Sequence, residues 1–328
     1  MERKLFRLAR YLQFFATEAT GTLWGLPNYT GELFTADAIN TPFLSMIGGL
    51  TGGQETGNFE FPTASEYTHE ALAQENITET ESIAGVTPIN HIRAEAKNVV
   101  QIFQEAILLS YVKMSNQGRL TGINTAGSKN SVVTEKDWQI AKGIERSARK
   151  VEWHFLQGTY SLAGNSAQSN QTRGMIAAGG AVNTVAGGAA TLTKAMMDAL
   201  LLLMFTNGAF FKNMVIFCGG FQKQKISDIY GYAPEDRNVG GVNIKQIETD
   251  YGNIGVANPH RMMPAATLLI ADLSVCAPVF QPVPGKGNFF YEDKPQAGAA
   301  EGGQLFGQIG LNHGPTFAHG TITNLATA

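Results

Sequence analysis

At 328 residues, with 44% hydrophobic and 16% charged side chains, the chain has the balance of a globular protein and is long enough to bury one large core or two smaller ones. A formal net charge of -3 gives no global reason to expect nucleic-acid binding. The two cysteines, Cys218 and Cys276, are too few and too far apart for a disulfide framework or a thiolate metal site, and they fit a reducing cytoplasm as buried free thiols.

The chain opens with "MERKLFRLARYLQFFATEATG". Its positive start resembles a signal peptide, but Arg7, Arg10 and Gln13 interrupt the apolar run that export would need. As a helix it places Leu5, Leu8, Leu12 and Phe15 on one face and Arg3, Arg7 and Arg10 on the other. Such a helix can dock its apolar stripe on protein with a solvated basic back, or touch nucleic acid or another anionic surface. No run of about 18 apolar residues occurs, so no membrane span is expected.

Residues 16–50 read as extended and irregular, with turns at Gly25–Pro27 and Thr41–Pro42, because a residue before proline is pushed out of the helical region. Residues 51–98 read as a two-armed excursion. A polar strand leaves through Phe59 and Phe61, the tip is rich in Glu and Thr, and a return strand runs from about Ile89 to Val112. Two strands with so little to bury are marginal alone.

Charge is segregated along this part of the chain. From Tyr11 to Ile92 there is no Lys or Arg but there are ten acids, among them Glu66, Glu70 and Glu79; from Arg93 to Arg173 eleven Lys or Arg face six acids. The acids form either a solvated face or a surface that lies on the basic part of a neighbouring copy.

Thr134, with Asp137 three residues on, starts a helix whose stripe is Ala141, Ile144, Ala148, Val151 and Phe155 and which ends before Gly158. At about 1.5 Å per residue it is roughly 36 Å long, with Glu145 and Arg149 placed to pair across one turn. Two Gly-rich and polar loops then flank "TRGM", followed by a helix over Thr191–Thr206, a buried strand at "NMVIFCGG" and another helix. Short strands at "VNIKQIETD", "GNIGVANP", "ATLLIADL" and "VCAPVFQPV" predict a sheet covered by helices. The closing "GQLFGQIGLNHGPTFAHGTITNL" reads as one strand pair, and there are no internal repeats.

Catalytic signatures do not emerge. "GGFQKQKIS" lacks the Gly before Lys225 and the Ser or Thr after it that a phosphate loop needs. "HEALA" lacks the second His of a helical zinc site, and no GxSxG elbow exists. His313 and His319 read as structural histidines. No cofactor or metal is implied, and the chain is not expected to be an enzyme.

Taken in order, "YTGELF" with "TPFLSMIGG", "RAEAKNVVQIFQEAILLS", "TRGM", "IETDYGNIGVANPHRMMP" and "AHGTITNL" resemble the major capsid proteins of tailed bacteriophages. The resemblance implies an α+β chain with the tailed-phage major capsid fold. Its parts would be an N-terminal arm over 1–50, an extended loop hairpin over 51–98, a peripheral domain with a long spine helix over 99–169, an axial domain over 170–275, and peripheral return strands over 276–328. It implies a shell subunit assembling as hexamers and pentamers into an icosahedral virion capsid around double-stranded DNA, built in the host cytoplasm, with no membrane partner. Tyr29, Leu33, Phe34, Phe43 and Leu44 would then lie on adjacent subunits together with Glu66, Glu70 and Glu79. Arg3, Arg7 and Arg10 would face inward toward DNA that is contacted without sequence preference.

Two departures from the family pattern matter. The chain starts at Met1 almost directly with the arm, which implies a separate scaffolding protein or none; the resemblance also allows portal, scaffolding or decoration proteins as partners. Some members cross-link a loop Lys to an Asn, but residues 51–92 hold no Lys, so that chemistry is excluded there. The alternatives are the shell of a cellular cargo-enclosing nanocompartment and, from another class, a soluble α+β hydrolase with a pocket.

Overall fold

The structure, a computed structural model, describes residues 40–67, 74–85, 90–115, 135–230, 236–239, 242–295 and 298–327. In chain order the elements are α1 (Pro42–Ile47), β1 (Gln54–Glu55), β2 (Glu60–Tyr67), α2 (Glu79–Ala84), β3 (Arg93–Val99), β4 (Gln101–Ser110), α3 (Tyr111–Ser115), α4 (Glu135–Gln157), α5 (Met175–Gly179), β5 (Thr184–Ala186), α6 (Lys194–Thr206), β6 (Met214–Cys218) and α7 (Gly220–Tyr230). They are followed by β7 (Asp236–Val239), β8 (Val242–Thr249), β9 (Gly252–Ala257), β10 (Leu268–Asp272), β11 (Ala277–Phe280), β12 (Phe289–Lys294), β13 (Ala300–Asn312) and β14 (Gly320–Thr323).

A first compact unit gathers Gln104–Arg146 and Tyr291–Leu305. In it Lys136 reaches Asp293 at 2.9 Å and Glu301 at 3.3 Å, Arg146 pairs with Glu105, and Tyr111 N donates to Ala299 O. Gly143 lets helix and strands close up: a methyl there would stand 2.8 Å from Leu305 Cδ1.

The second unit comprises the rest of the described chain and holds two large hydrophobic cores and a small cluster of Phe61, Val100 and Val279. Its main sheet has seven strands in the order β5-β14-β10-β6-β9-β8-β7. Strands β6 and β10, "MVIFC" and "LLIAD", are buried at every position, as apolar runs covered on both faces must be, with Asp272 closing the second. Because side chains alternate across a strand, Val215, Phe217, Leu269 and Ala271 enter one core, while Met214, Ile216, Leu268 and Ile270 enter the other. Helix α6 supplies Met197, Leu200 and Met204 to the second core.

Several sequence expectations change. Residues 42–47 are helical, since Pro42 occupies the first turn, where its missing N–H costs nothing. The stripe of α4 is rotated: Gly143, Ser147, Val151, Phe155 and Leu156 face inward, and Ile144 is exposed. Small residues at 143 and 147 allow close approach on that face, which outweighs the larger apolar side chain one position on. The closing stretch is not a strand pair. Strand β13 joins β11, β12 and β4 in a five-stranded sheet, whereas β14 pairs with β10 and β5. Gly314, at φ +65, and a 3-10 turn over Thr316–Ala318 separate the two.

Candidate assembly surfaces

Strands β2 and β3 form a two-stranded antiparallel ribbon from Glu60↔Val99 out to Tyr67↔Arg93, with a register shift between Pro62 and Ala64. No third strand joins it among the described residues. Its base is fixed tightly. Asn98 is wholly buried and satisfies its entire amide: Nδ2 donates to Leu311 O at 2.7 Å and Arg173 O at 3.2 Å, and Oδ1 accepts from Arg173 N at 2.7 Å and Val99 N at 2.9 Å.

The "TRGM" stretch makes this knot. Thr172 Oγ1 accepts from Leu311 N, and Met175 is fully buried. Gly174 lies so close to the end of α4 that a Cβ would meet Gly158 N at 2.6 Å. Beside it Glu60 accepts from Lys97 at 3.3 Å and from Tyr160 at 3.2 Å, and Arg173 stands 5.4 Å over the Tyr160 ring.

Away from this base the ribbon has nothing to bury itself against. At its outer end Tyr67 and Ile92 are exposed, the latter to 81%, and so are Ile77 and, to 82%, Ile83 in the segment between the strands; Phe59 is exposed at the base end, where its carbonyl accepts from Val100 N. Helix α2 buries no residue and is held by a reciprocal cap in which Thr78 and Glu81 each bond the other's backbone N–H. Those bonds from Thr78 keep the Glu81 carboxyl below its usual range. A second uncovered apolar face runs along β4, where Ile102 and Leu108 point outward, and a third lies at the end of α6, with Leu202 and Phe205.

Of the residues singled out from sequence, Glu66 lies half-buried on β2 opposite Ala94, and Glu79 is exposed at the start of α2. Tyr29, Leu33, Phe34, Glu70, Arg3, Arg7 and Arg10 lie outside the described residues. Phe43 and Leu44 require a correction. Both are buried in this chain's own core, Phe43 edge-on to Phe217 at 5.3 Å between centroids and to Phe155 at 6.4 Å, and they have no surface to offer a neighbour. Apolar character without a visible period marked these side chains as needing a host, and the host is helix α4 of the same chain.

Several polar groups are buried in these cores. Asn98 and Glu152 leave no mark in the sequence, because a lone polar residue in a strand or helix carries no spacing signal. His319 Nδ1 accepts from Asp272 N and its Nε2 donates to His313 O at 2.6 Å, so the ring is a neutral strut. Burial pushes His313 down to about 4 and Cys218 up to about 12, and raises Cys276 further still. Among the described residues no group of three His, Cys, Asp or Glu side chains could hold a metal ion, and no helix is long and apolar enough to cross a membrane.

The model of the SU10 major capsid protein family matches residues 14–326. No curated protein matches the sequence. In fold the chain is similar to the capsid protein of cyanophage A-1(L), with a TM-score of 0.60 and 13% identity over 90% of this chain and 96% of that one. It is similar to a protein of Mycobacterium phage Patience at a TM-score of 0.57 and 11% identity, covering 87% and 84%. It is also similar to the SrpI encapsulin of Synechococcus elongatus, at a TM-score of 0.56 and 10% identity over 92% and 93%.

Proposed function

This chain belongs to the SU10 major capsid protein family, a structural subunit of a virion capsid shell, and from that premise we propose that its copies form hexamers and pentamers of an icosahedral shell around double-stranded DNA. The observation that carries the reading is the β2–β3 ribbon, which presents Phe59, Tyr67, Ile77, Ile83 and Ile92 to solvent. Covering such side chains gains up to roughly 1.5–3 kcal/mol each, and a neighbouring copy supplies the cover. We assign residues 1–50 to an arm, 51–98 to the extended loop, 99–169 and 276–328 to the peripheral domain, and 170–275 to the axial domain. Glu66, Glu70 and Glu79 then face the basic stretch of the adjacent copy, and Arg3, Arg7 and Arg10 face the enclosed nucleic acid. Tyr29, Leu33 and Phe34 pack on a neighbour. Portal, scaffolding or decoration proteins complete the particle.

Purified particles test this directly. Imaging resolves closed shells, and extraction yields double-stranded DNA. The likeness to an encapsulin favours a second reading, a compartment enclosing protein cargo. Particles that contain protein cargo and no nucleic acid establish that reading in place of the first, and a chain that stays monomeric under all salt conditions defeats both.

A further inference from the structure

Glu152 sits in the last two turns of α4, wholly buried in the core shared by Phe43, Phe155 and Phe217. Its carboxylate accepts from Phe43 N at 3.0 Å and from Leu44 N at 2.6 Å, the first free amides of helix α1 after Pro42. These amides belong to residues 109 and 108 positions away in the chain.

A buried carboxylate held by backbone amides alone is poorly compensated when ionised. The ionisable groups on the elements packed around it and around α1 include Arg149, Lys150 and His154 within a turn of its own helix, Lys245 and Glu248 on β8, which packs on α1, His260 and Arg261 beside Met262, Asp272 beside Ala271, and the neutral thiol of Cys276. Helix α1 carries none. No charge on these elements offsets the cost: burial pushes Glu152 up to about 7, with only the Leu44 and Phe43 amides pulling the other way.

We propose that Glu152 is a proton-operated latch for helix α1. Protonated, it seats α1 on α4; ionised, it leaves an uncompensated charge in the core that is relieved when α1 lifts and water enters. The direction follows from linkage. In the seated state Glu152 holds its proton up to about 7, against an ordinary value of 4.5 once exposed. Seating is therefore firmest at low pH and weakens as pH rises through that window. The latch acts on this chain's own fold and holds whichever contents the shell encloses.

Hydrogen–deuterium exchange on the full chain tests it, with rates corrected for the intrinsic effect of pH. The peptide covering residues 42–47 is expected to exchange faster at pH 8.5 than at pH 5.5 by at least on the order of tenfold, while the peptide covering 214–218 stays level. Glu152→Gln keeps one acceptor and no charge, and its profile is expected to be flat. Should that variant fail to fold, Glu152→Met, of similar volume, serves the same purpose. A flat profile in the unaltered chain, or an undiminished slope in either neutral variant, overturns the latch.

Discussion

At the residue scale, buried polar atoms govern more of the behaviour than the apolar ones that surround them. His313 is held neutral by burial, with its value down at about 4 against an ordinary 6.5. Between those limits the folded chain binds fewer protons than the unfolded one, so this group costs stability as pH falls from 6.5 toward 4, by of order 3 kcal/mol at the end. His319 acts in the same direction. Glu152 acts oppositely, costing stability as pH rises from 4.5 toward 7. Urea midpoints are therefore expected to peak in mildly acid solution, and in Glu152→Gln the peak moves toward neutral pH. Midpoints that decline equally above pH 6 in both proteins contradict this. Phe43→Ala removes a fully buried ring from the same core and is expected to cost about 3–5 kcal/mol in the same measurement. Gly310→Ala places a methyl 2.8 Å from both the Phe61 ring and the Val99 carbonyl. The backbone atom cannot swing aside, so the cost is expected to reach roughly 1–3 kcal/mol. At Gly143 the nearest obstacle is the tip of Leu305, and Gly143→Ala costs less.

At the element scale, helix α2 stands on its caps alone, because none of its residues is buried. Thr78→Ala removes the side-chain acceptor for Glu81 N, a change worth about 0.5–2 kcal/mol, and exchange at residues 79–84 is expected to accelerate while the rest of the chain is unchanged. The cap was present in the sequence as Thr78 followed three residues later by Glu81, but without an apolar stripe behind it the stretch reads as a loop tip. Elements with a strong period or composition were legible: α4 from its capping signal and apolar spacing, β6 and β10 from their apolar runs, and the ribbon from its polar strands. Strand β5 was hidden inside a Gly-rich stretch, since three residues carry too little pattern and only pairing with β14 makes it a strand. Partners far apart in the chain leave no local trace, which is why the sequence pattern suggests pairing β13 with β14 and gives no sign that Phe43 packs on α4 of its own chain. The uncovered faces were legible only as charge segregation, and the exposed isoleucines of the ribbon became visible only with the fold.

For the whole molecule, the proposed lattice makes two demands that can be separated. Acidic contacts predict that Glu66→Lys with Glu79→Lys weakens assembly, raising the protein concentration needed for particles, with the deficit largest at low salt where screening is least. Assembly unchanged at every salt concentration removes the charge argument. Apolar contacts predict that Ile83→Asp, at a side chain 82% exposed in the single chain, leaves the melting temperature of the unassembled subunit unaltered and blocks particles. A matching fall in subunit melting would place Ile83 in the chain's own fold instead.

Strands β6 and β10 form one wall with a core on each side. A wall of this kind cannot keep its shape when either filling is lost, for the residues on its two faces share the same backbone. Calorimetry of the unassembled second unit's transition should therefore show a single heat-absorption peak, and damage on the Leu200 side should be felt at Phe155.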